Sequence, residues 1–194
     1  RNILLFPYGL RMGWRKMMAC EELEKLAMKV RPRELEKGET QRRLKQALSW
    51  VDEAKTVGTI NEAVLKGTAH LNQTEQDPSQ VPLKIAIVGE LYTVMDPHIN
   101  RGVEQKLGEL GAEVTRTSWF STHIRRSLRW DKNGQGAERL RFLEASKTYL
   151  GYDVGAECNI SIGEAILRAQ EGYDGVVHLL SLIHISEPTR QAEI

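Results

Sequence analysis

One short apolar run limits what this chain can fold into more than any other segment. The run is Leu83-Lys-Ile-Ala-Ile-Val88, it is rich in β-branched residues, and Pro82 and Gly89 bound it. Such a run predicts a strand buried on both faces, as strands of parallel sheets are. Because parallel strands need crossover helices, the run predicts an α/β fold.

The residues after this run continue the alternation of helices and strands. Asp96-Pro97 predicts a helix start, because Asp caps helices and Pro fits the first helical turn. Residues 112–119 and Val176–Leu180 predict two further strands, the second again buried. We therefore expect an open, mainly parallel, Rossmann-like sheet over residues 83–180.

The first third of the chain has a helical period instead. Apolar residues repeat at helical spacing in two stretches, Leu23, Leu26, Ala27 and Val30, and then Leu44, Ala47, Leu48 and Val51. Gly58 is a natural C-terminal stop for the second helix. The pattern predicts an N-terminal helical hairpin over 1–58 and a polar linker over 59–82, in which a short helix near 62–71 is an alternative.

Composition excludes several classes of protein. The chain has 194 residues, with 27 Lys and Arg against 26 Asp and Glu, so it is not a strongly basic nucleic-acid binder. Its two cysteines, Cys20 and Cys158, form neither a disulfide framework nor a CxxC pair. No apolar run reaches the roughly 20 residues of a membrane helix, and no signal peptide is recognisable. We expect a cytoplasmic protein that does not bind membranes.

Both ends of the chain are unusual. It begins at Arg1 rather than Met, and an upstream part is expected to be missing. Residues 181–194 resemble translated sequencing-adapter sequence, so we expect the biological sequence to stop near Leu180. A genuine polar C-terminal segment is the alternative.

The loop 89–100 is the first candidate site, because ligands of open α/β sheets bind beyond the carboxyl ends of strands. Glu90 is the candidate catalytic carboxylate. Gly89, Tyr92 and Asn100 are candidate cofactor-binding residues. In the alternative interpretation Glu90 and Asn100 only hold the loop through hydrogen bonds to backbone. No GxGxxG follows Gly89, so a nicotinamide dinucleotide is not indicated.

Cys158 marks a second candidate site. It lies just before the helix that the capping box Ser161-x-x-Glu164 predicts, where the helix dipole favours thiolate, the form that binds iron. Cys158 is therefore the candidate metal ligand, and Glu157 a candidate cofactor-binding residue. The alternatives are a small buried cysteine and, for His178 in its predicted strand, a histidine of the core.

Residues 116–141 combine basic and aromatic side chains. The members are Arg116, Arg125, Arg126, Arg129, Lys132, Arg139 and Arg141, with Trp119, Phe120 and Trp130 between them. Such a patch can bind nucleic acid or the nucleotide part of coenzyme A. A solvated helix face with its aromatics turned inward is the alternative.

Four segments resemble, in the same order, motifs of one protein family. They are Trp14–Leu26 with Val30-Arg-Pro-Arg-Glu34 and Lys37-Gly-Glu-Thr40; Lys84–Tyr92 with Asp96, Pro97 and Asn100; Glu157–Gly163; and Gly172–His178. The family is that of the 2-hydroxyacyl-CoA dehydratase-like proteins, in particular the acyl-CoA dehydratase activase-related proteins. Arg33 stands where that family usually has Tyr.

The resemblance implies an iron–sulfur protein, with a cluster of the 4Fe–4S type, that receives a low-potential electron from an ATP-dependent activase. It implies radical dehydration of a 2-hydroxyacyl-CoA, which is lyase chemistry, and a cluster suits the electron-transfer step because it stores one electron at low potential. Most cluster ligands would lie outside these residues, so this piece is expected to be inactive by itself. A non-catalytic electron relay of the same fold is an alternative, and a nucleic-acid module is the least expected.

Overall fold

A computed structural model describes residues 5–116, 118–127, 135–152, 154 and 158–180. The chain divides into two compact units. We call Arg1–Pro82 with Gln105–Glu113 the helical unit, and Leu83–Glu104 with Val114–Ile194 the sheet unit. In the described part of the chain, no helix is both long and apolar enough to cross a membrane.

The helical unit contains three helices that pack together, α1 (Leu5–Val30), α2 (Glu39–Glu53) and α3 (Val57–Asn72), with a 3-10 turn at Arg31–Arg33 after α1. Both helices predicted from the helical period are present. Their apolar stripes form most of a common core, whose buried members include Leu23, Ala27, Leu44, Ala47, Val51, Ile60 and Leu71.

Helix α3 occupies much of the segment that was expected to be a linker. Ile60 and Leu71 on α3 are fully buried in the helical core, which stabilises the helix although its flanks are polar. Gly58 is not the stop of the preceding helix but lies in the first turn of α3. Thr56 caps α3, because its hydroxyl accepts the N–H of Thr59 while the Thr59 hydroxyl accepts the N–H of Thr56.

Glu34 connects the two short motifs between α1 and α2, which are Val30-Arg-Pro-Arg-Glu34 and Lys37-Gly-Glu-Thr40. Its carboxylate is buried, with Oε1 accepting the N–H of Gly38 and Oε2 accepting the N–H of Thr40, both at 2.8 Å. Gly38 has φ of 85°, a conformation that favours glycine. A carboxylate at a helix N-terminus is stabilising, so these motif residues build the start of α2.

Three parallel strands form an open sheet in the order β2-β1-β3. In chain order the elements are β1 (Leu83–Gly89), α4 (Leu91–Met95), α5 (Val103–Glu109), β2 (Ala112–Arg116), α6 (Phe120–Ser127), α7 (Gln135–Ser146), α8 (Cys158–Gln170) and β3 (Gly175–Leu179). The predicted α/β class with an open parallel sheet and packed N-terminal helices is confirmed.

Strand β1 is the buried centre of this sheet. Its residues 86–88 are at most 2% exposed, and helix α8 packs against both β1 and β3. Strand β3 pairs in parallel with β1, from Ile85 opposite Gly175 to Gly89 opposite Leu179. The prediction that β3 is buried is wrong, because β3 is an edge strand and its residues alternate between half-buried and exposed.

Two predicted helix starts are wrong. Asp96 does accept backbone N–H groups, those of His98 at 2.8 Å and Ile99 at 3.3 Å, but these bonds close a turn, and α5 begins only at Val103. Ser161 does not cap α8 but lies inside it, and its hydroxyl donates to the carbonyl of Cys158 at 3.0 Å. Both local hydrogen-bonding patterns suit a helix interior or a turn as well as a cap.

Candidate functional site

Gly89 ends β1 in close contact with β3. Its φ is 140°, and a Cβ placed on it would lie 2.0 Å from the carbonyl oxygen of Leu179. The next residue, Glu90, donates its N–H to that same carbonyl at 3.1 Å. Glycine is therefore required here because β3 passes so close, and the predicted role of Gly89 in approaching a cofactor stays a prediction.

Glu90 is half-buried and precedes helix α4. One of its carboxylate oxygens, Oε2, accepts a hydrogen bond from the hydroxyl of Thr93 at 3.3 Å. Thr93 is buried, so this contact holds the Glu90 side chain against the first turn of α4. Its catalytic role remains a prediction, because nothing in this arrangement requires a reaction there.

Asn100 holds the loop in place. Its side-chain N–H₂ group donates to the carbonyls of Thr93 and Val94, at 3.1 and 3.0 Å, and its Oδ1 accepts the N–H of Gly102 at 3.0 Å. These bonds satisfy carbonyls at the end of the short helix α4. The amide is thus engaged with backbone, as the alternative interpretation of Asn100 expected.

A pocket of about 370 Å³ opens beyond the carboxyl end of β1. It is lined by Leu91, Tyr92, Met95, Asp96, Pro97 and Phe120. The sequence placed Tyr92 in the candidate site, and the structure puts it on the pocket wall with 67% of its surface exposed. The volume lies within the roughly 300–1,000 Å³ of small-molecule sites.

Leu91 and Met95 lie in the predicted loop 89–100 but were not named as site residues, and Phe120 was named only as part of the basic and aromatic patch. Leu91 and Met95 lie one turn apart on α4, a helix too short for its period to be recognised. Phe120, which is 45% exposed, begins α6 just after the carboxyl end of β2. Ligands of open α/β sheets bind beyond the carboxyl ends of strands, and this rule selected the loop after β1. Applied to the segment after β2, the same rule could have found Phe120.

Cys158 is the first residue of α8 and is half-buried. One turn further on, the Ser161 hydroxyl lies 3.1 Å from Nε2 of His178 on β3. His178 is an exposed residue of β3 and not a histidine of the core, but partial desolvation of its ring lowers its pKa below the ordinary value of 6.5, so the neutral imidazole is favoured. Sequence reasoning missed this contact, because its partners lie on different elements. The candidate cofactor residue Glu157 lies outside the described residues.

The described residues do not fit an iron–sulfur cluster. Within them, no three His, Cys, Asp or Glu side chains come together as a ligand group. Cys20 packs against the core of the helical unit, and the pKa of its thiol is raised, first by burial and then by Glu24. Cys158 would supply one ligand at most, whereas a cluster is usually held by four cysteines.

Two members of the predicted basic and aromatic patch, Arg116 and Trp119, are buried. Arg116 is buried, pairs with Glu104 at 2.9 Å and stacks on the Trp119 ring at 4.0 Å. Trp119 is buried and donates its indole N–H to the Arg116 carbonyl. The exposed basic members that the structure describes are Arg139 and Arg141 on α7. Arg129, Trp130 and Lys132 lie outside the described residues.

Comparison of the chain with protein-family models, with curated proteins and with solved structures gave no match.

Proposed function

We propose that this chain is part of a protein of the 2-hydroxyacyl-CoA dehydratase type, and that its sheet unit holds the acyl group of a coenzyme A thioester. Two things support the proposal: the ordered motifs in the sequence, and the pocket beyond the carboxyl end of β1. The pocket is the observation that carries it, because this is where open α/β sheets place their ligands.

The lining suits an acyl chain. Five of the six lining residues, Leu91, Tyr92, Met95, Pro97 and Phe120, offer apolar or aromatic surface. Burying apolar surface yields about 25 cal/mol per Å², so a short aliphatic or aromatic acyl group would be held mainly by removal from water. The pocket is too small for the whole of coenzyme A, whose nucleotide part would remain outside it.

The pocket also favours this proposal over the electron-relay alternative, since a relay protein needs no cavity for an acyl group. The iron–sulfur cluster and the ATP-dependent activase stay predictions from the resemblance. The roles of this chain's own residues are binding and orientation: α4 and Phe120 would enclose the acyl chain and exclude water around it.

Binding of butyryl-CoA to the 194-residue chain, measured by calorimetry with coenzyme A as the reference ligand, tests the proposal. We expect butyryl-CoA to bind more tightly than coenzyme A, because only the thioester can fill the pocket. Tyr92→Ala and Phe120→Ala should each weaken butyryl-CoA binding about tenfold, the loss expected for one aromatic contact.

Tyr149→Ala is the matched control, because Tyr149 is 74% exposed, like Tyr92, but does not line the pocket. It should leave the affinity unchanged. Equal binding of butyryl-CoA and coenzyme A, or equal losses in all three variants, would contradict the proposal.

A further inference from the structure

We propose that Asp96 makes this pocket selective for neutral acyl chains and excludes acyl groups that end in a carboxylate. The inference rests on the proposed function and adds the class of acyl group. Of the six described lining residues, Asp96 alone carries a carboxylate.

The turn after α4 holds this carboxylate in place. Asp96 Oδ1 accepts the N–H groups of His98 and Ile99, at 2.8 and 3.3 Å. Rotating the side chain away would exchange both of these surface bonds for bonds to water. The two bonds favour a conformer in which the carboxylate stays on this turn, and Asp96 therefore brings a negative charge to the pocket wall.

The other lining residues do nothing to offset this charge. They include no Lys, Arg or His, and none of the salt bridges found among the described residues involves Asp96. A second carboxylate entering the pocket would lose water and meet a like charge, and juxtaposed like charges cost several kcal/mol in general. A neutral chain of the same length meets neither penalty.

Butyryl-CoA and succinyl-CoA form a matched ligand pair, since both acyl groups have a four-carbon backbone and only succinyl ends in a carboxylate. We expect the wild-type chain to bind butyryl-CoA at least about tenfold more tightly than succinyl-CoA. Raising the ionic strength should narrow this ratio, because salt screens repulsion between partly exposed charges.

Asp96→Asn removes the charge and keeps an oxygen that can accept the N–H groups of His98 and Ile99. It should reduce the preference to within about threefold, chiefly by tightening succinyl-CoA binding. Asp77→Asn is the matched control, because Asp77 also accepts the N–H two residues further on, that of Ser79 at 2.9 Å, but lies in the helical unit. It should leave the preference unchanged.

If Asp96→Asn does not fold, Asp96→Ser replaces it, since Ser can cap the same turn without a charge. A wild-type chain that binds both thioesters equally, or a preference that survives the loss of the Asp96 charge, overturns the selectivity while leaving the proposed function standing. If neither thioester binds more tightly than coenzyme A, the proposed function fails and the selectivity with it.

Discussion

At the scale of single residues, the hydrogen bonding and the pKa of His178 depend on residues outside its own strand, β3. Its Nε2 lies 3.1 Å from the Ser161 hydroxyl, and burial lowers its pKa below 6.5. Between the lowered pKa and 6.5, the unfolded chain therefore binds more protons at this position than the folded chain. Stability contributed by neutral His178 is complete above this window and is lost as the pH falls through it.

His178→Gln should remove that part of the pH dependence, because Gln does not titrate and can still bond Ser161. The free energy of unfolding in urea, measured at about pH 7.5 and about pH 5.5, should fall less for the variant than for the wild type. Carboxylates titrate in both proteins, so the difference between the two slopes isolates His178. Equal slopes would contradict a lowered pKa of His178 in the folded chain.

At the scale of elements, the contact of α7 with α8 depends on one glycine. A Cβ on Gly163 would lie 1.7 Å from the carbonyl oxygen of Phe142, which belongs to the backbone of α7. Since a backbone atom cannot rotate away as a side chain can, α7 and α8 approach this closely only because residue 163 has no side chain.

Gly163→Ala should therefore destabilise the protein by about 1–3 kcal/mol, the usual penalty for overpacking, even though Ala favours helices. Urea unfolding followed by circular dichroism measures this loss. Gly13→Ala is the control, because Gly13 is also helical and a Cβ there meets nothing within 4 Å. Comparable stabilities of the two variants would mean that α7 and α8 adjust without cost.

Helix prediction succeeded where the period was long and failed where it was short or interrupted. Helices α1 and α2 have repeated apolar stripes, and both were recognised. Helix α4 has five residues, which is shorter than two turns and gives no period to recognise. In α3, the apolar residues Ile60 and Leu71 gain their stabilisation from α1 and α2, and so the segment considered alone was expected to be a linker, with a short helix near 62–71 as the alternative.

At the scale of the whole molecule, the helical unit is assembled from two separate stretches of chain. Gln105–Glu113 returns to the unit that Arg1–Pro82 begins. The buried side chain of Arg31 fills the space that a Cβ on Gly108 would occupy. Arg33 pairs with Glu113 at 3.0 Å. The boundaries expected at residues 58 and 82 divide the chain into consecutive segments. They therefore did not assign Gln105–Glu113 to the same unit as the N-terminal helices.

A fragment that ends at Pro82 should consequently be less stable around residues 31–36 than the same segment in the whole chain. In this fragment Arg31 would lose its packing against Gly108, and Arg33 would lose its salt bridge with Glu113. Hydrogen exchange of the backbone amides should show roughly tenfold less protection there in the fragment, which corresponds to about 1.4 kcal/mol. Equal protection in the fragment and the whole chain would show that residues 105–113 add nothing to this unit.

By itself, the sequence determined the local elements: a strand beginning at Leu83 whose second half is buried, helices with long apolar stripes, and a loop after β1 that contains Tyr92. These follow from period, turn chemistry and burial, which act between residues close in the chain. Only the tertiary structure decided that Phe120 joins that loop to form a pocket, that Leu179 requires glycine at position 89, and that Ser161 meets His178. These contacts join segments far apart in sequence, and neither segment by itself shows which partner the fold brings to it.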